Sequence, residues 1–263
     1  MKIKKVKLNE NFLSVPIAHR GLHSNEVCEN SMKSFILAKE KKLAIEIDIH
    51  CLTDGKFAVF HDKNLKRITG SDIKLSTLSS SELSNYKLWD GQSIPLLEDV
   101  LNEIAGEVPI LIELKPEDGF KNKDIKPFLE ILKNYNHNDM IAIQSFNPFI
   151  IKELKKHTSD FALGILSSHE LGKMSKIKNF FYRTVPLFEI FDFDFVSYDI
   201  RFLPNKTIDN LRKKDYQLLA WCIDSNEKLE KAKNLVDNII FEKLEVSKSL
   251  YFNKQWQLTE KLW

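Results

Sequence analysis

Ala44-Ile45-Glu46-Ile47-Asp48-Ile49-His50 is the stretch on which the fold turns. Side chains of a strand alternate between its two faces, so Glu46 and Asp48 share one face while Ile45, Ile47 and Ile49 share the other. The run Ile110-Leu111-Ile112-Glu113-Leu114-Lys115 repeats the device, with Glu113 and Lys115 opposite Ile110, Ile112 and Leu114. Branched aliphatics on one face and ionisable groups on the other suit a barrel strand, whose outer face packs on helices and whose inner face opens at the C-terminal end onto an active-site mouth.

Outward from these two strands the pattern continues in both directions. Eight strand candidates, residues 15–19, 44–50, 109–115, 140–146, 161–166, 195–199, 217–223 and 238–241, alternate with helix-period segments at 29–42, 96–105, 125–135, 148–157, 171–178, 207–214 and 227–235. An extra short strand is expected at 57–61, Asn226 is expected to cap the last helix, and Pro148 suits a first helical turn. Strand and helix in alternation predict a parallel sheet with covering helices, and eight such units in about 250 residues match a TIM (β/α)8 barrel. An open doubly wound sheet would use the same alternation, but no G-x-G-x-x-G phosphate loop is present. Residues 63–94, less regular and serine-rich, read as a small insertion after the second main strand, too short for a domain of its own. The expectation is a single domain over 1–263.

Composition narrows the function classes. The 263 residues are 43% apolar, enough for one sizeable core, and 18 Phe exclude a disordered chain. With 39 Lys and Arg against 37 Asp and Glu, the formal charge of +2 gives no electrostatic footprint for nucleic acid. Cys28, Cys51 and Cys222 are odd in number and widely spaced, so neither a disulfide framework nor a zinc site is expected. No run approaches the roughly 18 apolar residues of a membrane span, and the basic start containing Lys2, Lys4, Lys5 and Lys7 lacks a signal-peptide core, so a soluble, cytoplasmic protein is expected.

Glu46, Asp48 and Glu113 brought together in a barrel would repel one another unless a cation compensates. Three carboxylates suit a hard divalent ion, Mg²⁺ or Ca²⁺, better than zinc. The other reading is an ion-pair network in which Lys115 engages Glu113 or Asp48. His19 and His61 each end an apolar strand, where a pair of imidazoles can divide acid and base roles or serve as hydrogen-bonded structural groups. Arg20 and Lys115 would complement a phosphate, or else pair with the same carboxylates.

Read together, His19-Arg20-Gly21, Glu29-Asn30-Ser31, Glu46-x-Asp48, Thr53-Asp54-Gly55, His61-Asp62, Ile94-Pro95-Leu96-Leu97-Glu98-Asp99, Glu113-Leu114-Lys115, Gln144-Ser145-Phe146 and Trp221-Cys222-Ile223-Asp224 resemble, in order and spacing, the glycerophosphodiester phosphodiesterase family over nearly the whole chain. The resemblance implies metal-dependent cleavage of a small-molecule glycerophosphodiester to sn-glycerol 3-phosphate and an alcohol, by way of a cyclic phosphate. It implies Glu46, Asp48 and Glu113 as metal ligands, His19 and His61 as the acid and base, and Arg20 and Lys115 at the phosphate. Glu29, Asn30, Gln144 and Trp221 align with residues that line or brace the pocket.

Two departures stand out. Ile239-Ile240-Phe241-Glu242-Lys243 replaces the family's usual Thr-Asp step and proline, leaving Glu242 as the candidate acid there, and Ser31 replaces a more usual Thr. A phospholipase D-like enzyme acting on lysophospholipid or sphingomyelin is the same-fold alternative, and a barrel that binds without catalysis is the alternative of a different class. The aromatic stretch 179–191 is expected to be covered core, with a lipid-touching rim as the alternative, and the tail 250–263 to be an amphipathic helix docked on the barrel or used in a homodimer.

Overall fold

The computed structural model describes residues 5–115, 120–168, 191–246 and 258–259. The main strands are β1 (Ile17–Ala18), β2 (Ala44–Cys51), β4 (Ile110–Leu114), β5 (Ile141–Ser145), β6 (Ala162–Ser167), β7 (Phe195–Asp199), β8 (Gln217–Ile223) and β9 (Asn238–Phe241), with β3 (Phe57–Val59) as an extra strand. Strand, helix, strand recurs with parallel pairing, and the fold is the eight-stranded TIM barrel with β3 bonded to β2.

The chain forms two compact units, residues 18–143 and residues 1–17 with 144–263. In the first, β2 pairs in parallel with β4, and the register sets Asp48 opposite Glu113. Strand β3 runs antiparallel to β2 through Ile49 and Val59, which returns the chain to the end of β2 that carries Asp48. Residues 63–94 then fold over their own small core: Leu65, Ile68, Leu75, Leu78, Leu83, Leu88 and Ile94 bury themselves with Cys28, Leu52, Ala58 and Phe60. In the second unit β6, β7, β8 and β9 pair in parallel. Gly164 lets β6 approach β7, since a Cβ there would lie 2.3 Å from the Phe195 ring.

Several element ends differ from expectation for local reasons. The first strand is confined to Ile17–Ala18, because Pro16 has no N–H and Gly21 N–H turns back to the Ala18 carbonyl. Strand β3 stops at Val59, so His61 stands on the following turn. The helix expected over 29–42 spans Met32–Glu40: Asn30 has φ of 52°, outside the helical region, and the Ser31 hydroxyl accepts from Ser34 N–H as the N-cap. The helix expected at 227–235 spans Asn226–Ala232 and is capped by Ser225, not Asn226. A short helix, Glu10–Ser14, capped by Asn9, was not expected in the basic start. The tail corrects most sharply: Leu258–Thr259 is a strand, antiparallel to Glu245–Val246, where a helix was expected. The rest of the tail, the helix candidate 171–178, Lys2, Lys4 and aromatic residues 179–190 lie outside the described residues. Phe191, the last of that stretch, is buried and stacks on Phe193.

Candidate active site

The site grows from the ends of β2 and β4. Glu46, Asp48 and Glu113 are all buried, and one oxygen of each lies within 4.8 Å of the others. Lys115 Nζ sits 2.9 Å from Asp48 Oδ1 and 2.6 Å from Glu113 Oε1, so the ion-pair reading of the sequence is realised in part. Lys115 engages one oxygen of Asp48 and one of Glu113, and those two oxygens have no other hydrogen-bond partner among the described residues. Burial, reinforced by Asp48 and Glu113, pushes the Glu46 carboxyl well above its ordinary range. Glu113 is pushed up to about 7 by burial, with Lys115 opposing. Burial also works to raise Asp48, but Lys115, His61, Arg20 and His19 outweigh it and hold that carboxyl far below its ordinary value. Three buried carboxyls with converging oxygens, two of them resisting ionisation, are what a site for a hard divalent cation has in the cation's absence, so these residues fit one.

Around the trio, two unusual turns converge. Arg20 and Asn30 both have left-handed backbone, φ of 55° and 52°, and Asn30 N–H donates to the Arg20 carbonyl at 2.9 Å. Arg20 N–H donates to Glu46 Oε2 at 2.9 Å, and Asn30 Nδ2 donates to Asp48 Oδ2 at 2.8 Å. The Arg20 guanidinium lies 3.4 Å from Asp48 Oδ2 and donates to Glu29 Oε1 at 2.7 Å. Gly21, φ 78°, completes the first turn in a place without room for a side chain: a Cβ would meet Ser34 Oγ at 2.3 Å.

His61 enters on the turn after β3, its Nδ1 2.6 Å from Asp62 Oδ1. Because Asp62 is held ionised, below its ordinary range, it accepts, and Nδ1 carries the proton. Burial lowers the His61 pKa against the pull of Asp48. His19, half-buried directly after β1, is close enough to Asp48 to contribute to holding it ionised. His50 Nε2 donates to the His61 carbonyl at 3.1 Å and so belongs to the frame of this turn.

Nine of the residues expected from sequence therefore come together within residues 18–143: His19, Arg20, Glu29, Asn30, Glu46, Asp48, His61, Glu113 and Lys115. Gln144 and Trp221 belong to the other unit and meet each other through Ser197, whose Oγ donates to Gln144 Oε1 at 2.7 Å and whose carbonyl accepts from Trp221 Nε1 at 3.0 Å. Glu242 follows β9, half-buried, 3.5 Å from Lys243 Nζ. Sequence reasoning missed Arg67, which bonds both Glu29 and Asp62. It lies in the irregular stretch 63–94, where no strand alternation marks an inward residue.

Comparison with known proteins places the chain among its relatives. A human lysophospholipase D is 34% identical over 168 residues, 59% of this chain, which spans about half (52%) of that protein. A glycerophosphodiester phosphodiesterase of Caldanaerobacter subterraneus is 24% identical over 245 residues, 85% of this chain and 92% of the relative. The structure of an Oleispira antarctica phosphodiesterase in complex with the product sn-glycerol-3-phosphate superposes with a TM-score of 0.75 at 26% identity, covering 88% of this chain and 93% of that one. The family match itself runs over residues 19–246, from the first histidine through the last barrel strand, and the chain belongs to the glycerophosphoryl diester phosphodiesterase family.

Proposed function

We propose that this enzyme hydrolyses glycerophosphodiesters to sn-glycerol 3-phosphate and an alcohol, with His19 and His61 as the proton-transfer pair and Glu46, Asp48 and Glu113 holding one divalent cation, Mg²⁺ or Ca²⁺. The observation that carries the reading is the buried carboxylate trio, with Asp48 and Glu113 facing each other across β2 and β4 and one oxygen of each carboxyl within 4.8 Å of the others. A bound cation there supplies positive charge against the phosphoryl oxygens.

His61 suits the base. With Nδ1–H directed at Asp62, the lone pair of the neutral ring is on Nε2, and burial favours that neutral ring. It takes the proton of the glycerol 2-hydroxyl, which attacks the adjacent phosphorus; the attacking group is already tethered, so much of the entropic cost of bringing it up is avoided. His19 gives a proton to the departing alkoxide, and the two roles reverse when water opens the cyclic phosphate. Arg20, fixed by Glu29 and Asp48, offers fixed positive charge to the phosphate, whereas Lys115 chiefly compensates the carboxylates.

The identity to a human lysophospholipase D supports a second reading, in which the diester is a lysophospholipid. Both readings are tested by assaying glycerophosphocholine beside lysophosphatidylcholine with Mg²⁺, with Ca²⁺ and with chelator. Release of glycerol 3-phosphate from the soluble diester, lost on chelation, is expected. Strong preference for the lysolipid would move the assignment to the second reading, and no metal-stimulated hydrolysis of any diester would leave a binding protein.

A further inference from the structure

Arg67 has no place in the chemistry described so far, yet its guanidinium is committed on two edges. Nε donates to Asp62 Oδ2 at 2.6 Å and NH2 to Asp62 Oδ1 at 3.1 Å; NH1 donates to Glu29 Oε2 at 2.8 Å and NH2 to Glu29 Oε1 at 2.7 Å. Each carboxylate also reaches a site residue: Asp62 holds His61 Nδ1 at 2.6 Å, and Glu29 Oε1 accepts from Arg20 NH1 at 2.7 Å. A single planar fork thus joins the turn bearing His61 to the turn bearing Arg20.

The backbone beneath it is anchored. Arg67 sits in the short helix Lys66–Thr69 between Leu65 and Ile68, both buried in the small core of residues 63–94, and Asn64 Oδ1 accepts from Lys66 N–H at 2.8 Å at the start of that helix. The Arg67 side chain is 46% exposed, so it fills no core space that its removal would empty.

We infer that Arg67 is a positioning residue for His61: by clamping both oxygens of Asp62, it keeps that carboxylate turned to Nδ1 and so fixes the imidazole in the tautomer that directs a basic Nε2 to substrate. The insertion then has a catalytic purpose, as the platform that delivers this clamp. A lysine could match the charge but has no planar fork with which to hold both oxygens of Asp62 and both of Glu29 at once.

The role rests on His61 acting as a base, so the experiment reads the ring directly as well as turnover. In protein labelled with ¹⁵N-histidine, the His61 imidazole is expected to show the Nδ1–H tautomer in the wild type and a mixture of tautomers in Arg67→Met. On glycerophosphocholine, Arg67→Met is expected to lower kcat by about 10- to 100-fold, the range for removing an outer-shell partner, with Arg67→Lys recovering only a few-fold of it. In an Asp62→Asn background the same substitution should change kcat less than about twofold, since partners acting as a unit are not additive. An unchanged His61 tautomer in Arg67→Met, or a full kcat loss on top of Asp62→Asn, overturns the inference. Should the wild type cleave no diester, the proposed reaction fails, while the tautomer measurement still decides the clamp.

Discussion

His61 and His19 differ in how firmly the protein holds them. His61 is fixed by Asp62 through Nδ1 and by His50 through its carbonyl, while His19 follows a two-residue strand. Each is expected to be indispensable: His19→Ala and His61→Ala should each reduce glycerophosphodiester turnover by at least about 100-fold, in line with removing a general acid or base, with circular dichroism and melting temperature unchanged. Near wild-type turnover in either variant would refute the paired roles. Glu29 yields a separate prediction. Burial alone would raise its pKa, but Arg67 and Arg20 pull it down to about 2, from an unfolded value near 4.5. A depressed carboxyl contributes stability that is present above the unfolded pKa and lost as pH falls toward the folded one. The shift is therefore worth up to about 3 kcal/mol, disappearing between roughly pH 4.5 and 2. Urea unfolding of Glu29→Gln should show a shallower loss of stability across that window, and an acid limb as steep as the wild type's would mean that the ion pairs with Arg20 and Arg67 contribute nothing net.

At the scale of elements, the turns matter more than the strands. Ser31 caps helix Met32–Glu40 with its hydroxyl, which explains why serine can stand where threonine is more usual: either residue supplies the oxygen. Ser31→Ala is expected to cost about 1 kcal/mol and Ser31→Thr little, as measured by denaturant midpoint. Gly21→Ala should cost more, because it combines φ of 78° with contacts of 2.3 Å to Ser34 Oγ and 2.9 Å to the Ser34 backbone, and the same turn carries Arg20. A melting temperature within a degree of the wild type's would show that the turn can shift. The same contrast explains what was legible in the sequence. Glu46, Asp48 and Glu113 were readable because strand periodicity fixes which side chains share a face, and the ladder then sets Asp48 against Glu113. The alternation of strands and helices was readable for the same reason. Arg67 was not, because its position depends on how residues 63–94 pack around Leu65 and Ile68, and no local period encodes that. Nor was the pairing of Leu258–Thr259 with Glu245–Val246, since strands of two residues carry too little pattern to set against an apparently amphipathic tail.

For the molecule as a whole, the carboxylate trio ties stability to pH and, on the proposed cation site, to metal. Glu113 with a folded pKa near 7, and Glu46 raised in the same direction, bind protons more tightly in the folded than in the unfolded chain. Stability of the metal-free protein therefore falls as pH rises from about 4.5, the unfolded carboxyl value, through 7. A divalent cation held at the proposed site would reverse this, because it would bind the ionised carboxylates and compete with their protons. Its stabilisation should accordingly be larger at pH 8 than at pH 5.5. At a free concentration of 100 times Kd the gain is about 2.7 kcal/mol, a rise in melting temperature on the order of 5 °C or more for a chain of this size. The measurement is thermal unfolding at both pH values with Mg²⁺, with Ca²⁺ and with chelator, repeated on Glu46→Gln and Glu113→Gln. In those variants the pH-dependent fall should shrink along with the cation response, since each removes one of the groups that must ionise for the ion to bind. A cation response equal at the two pH values, or undiminished in both variants, would place the ion elsewhere on the protein and leave the trio as a network closed by Lys115.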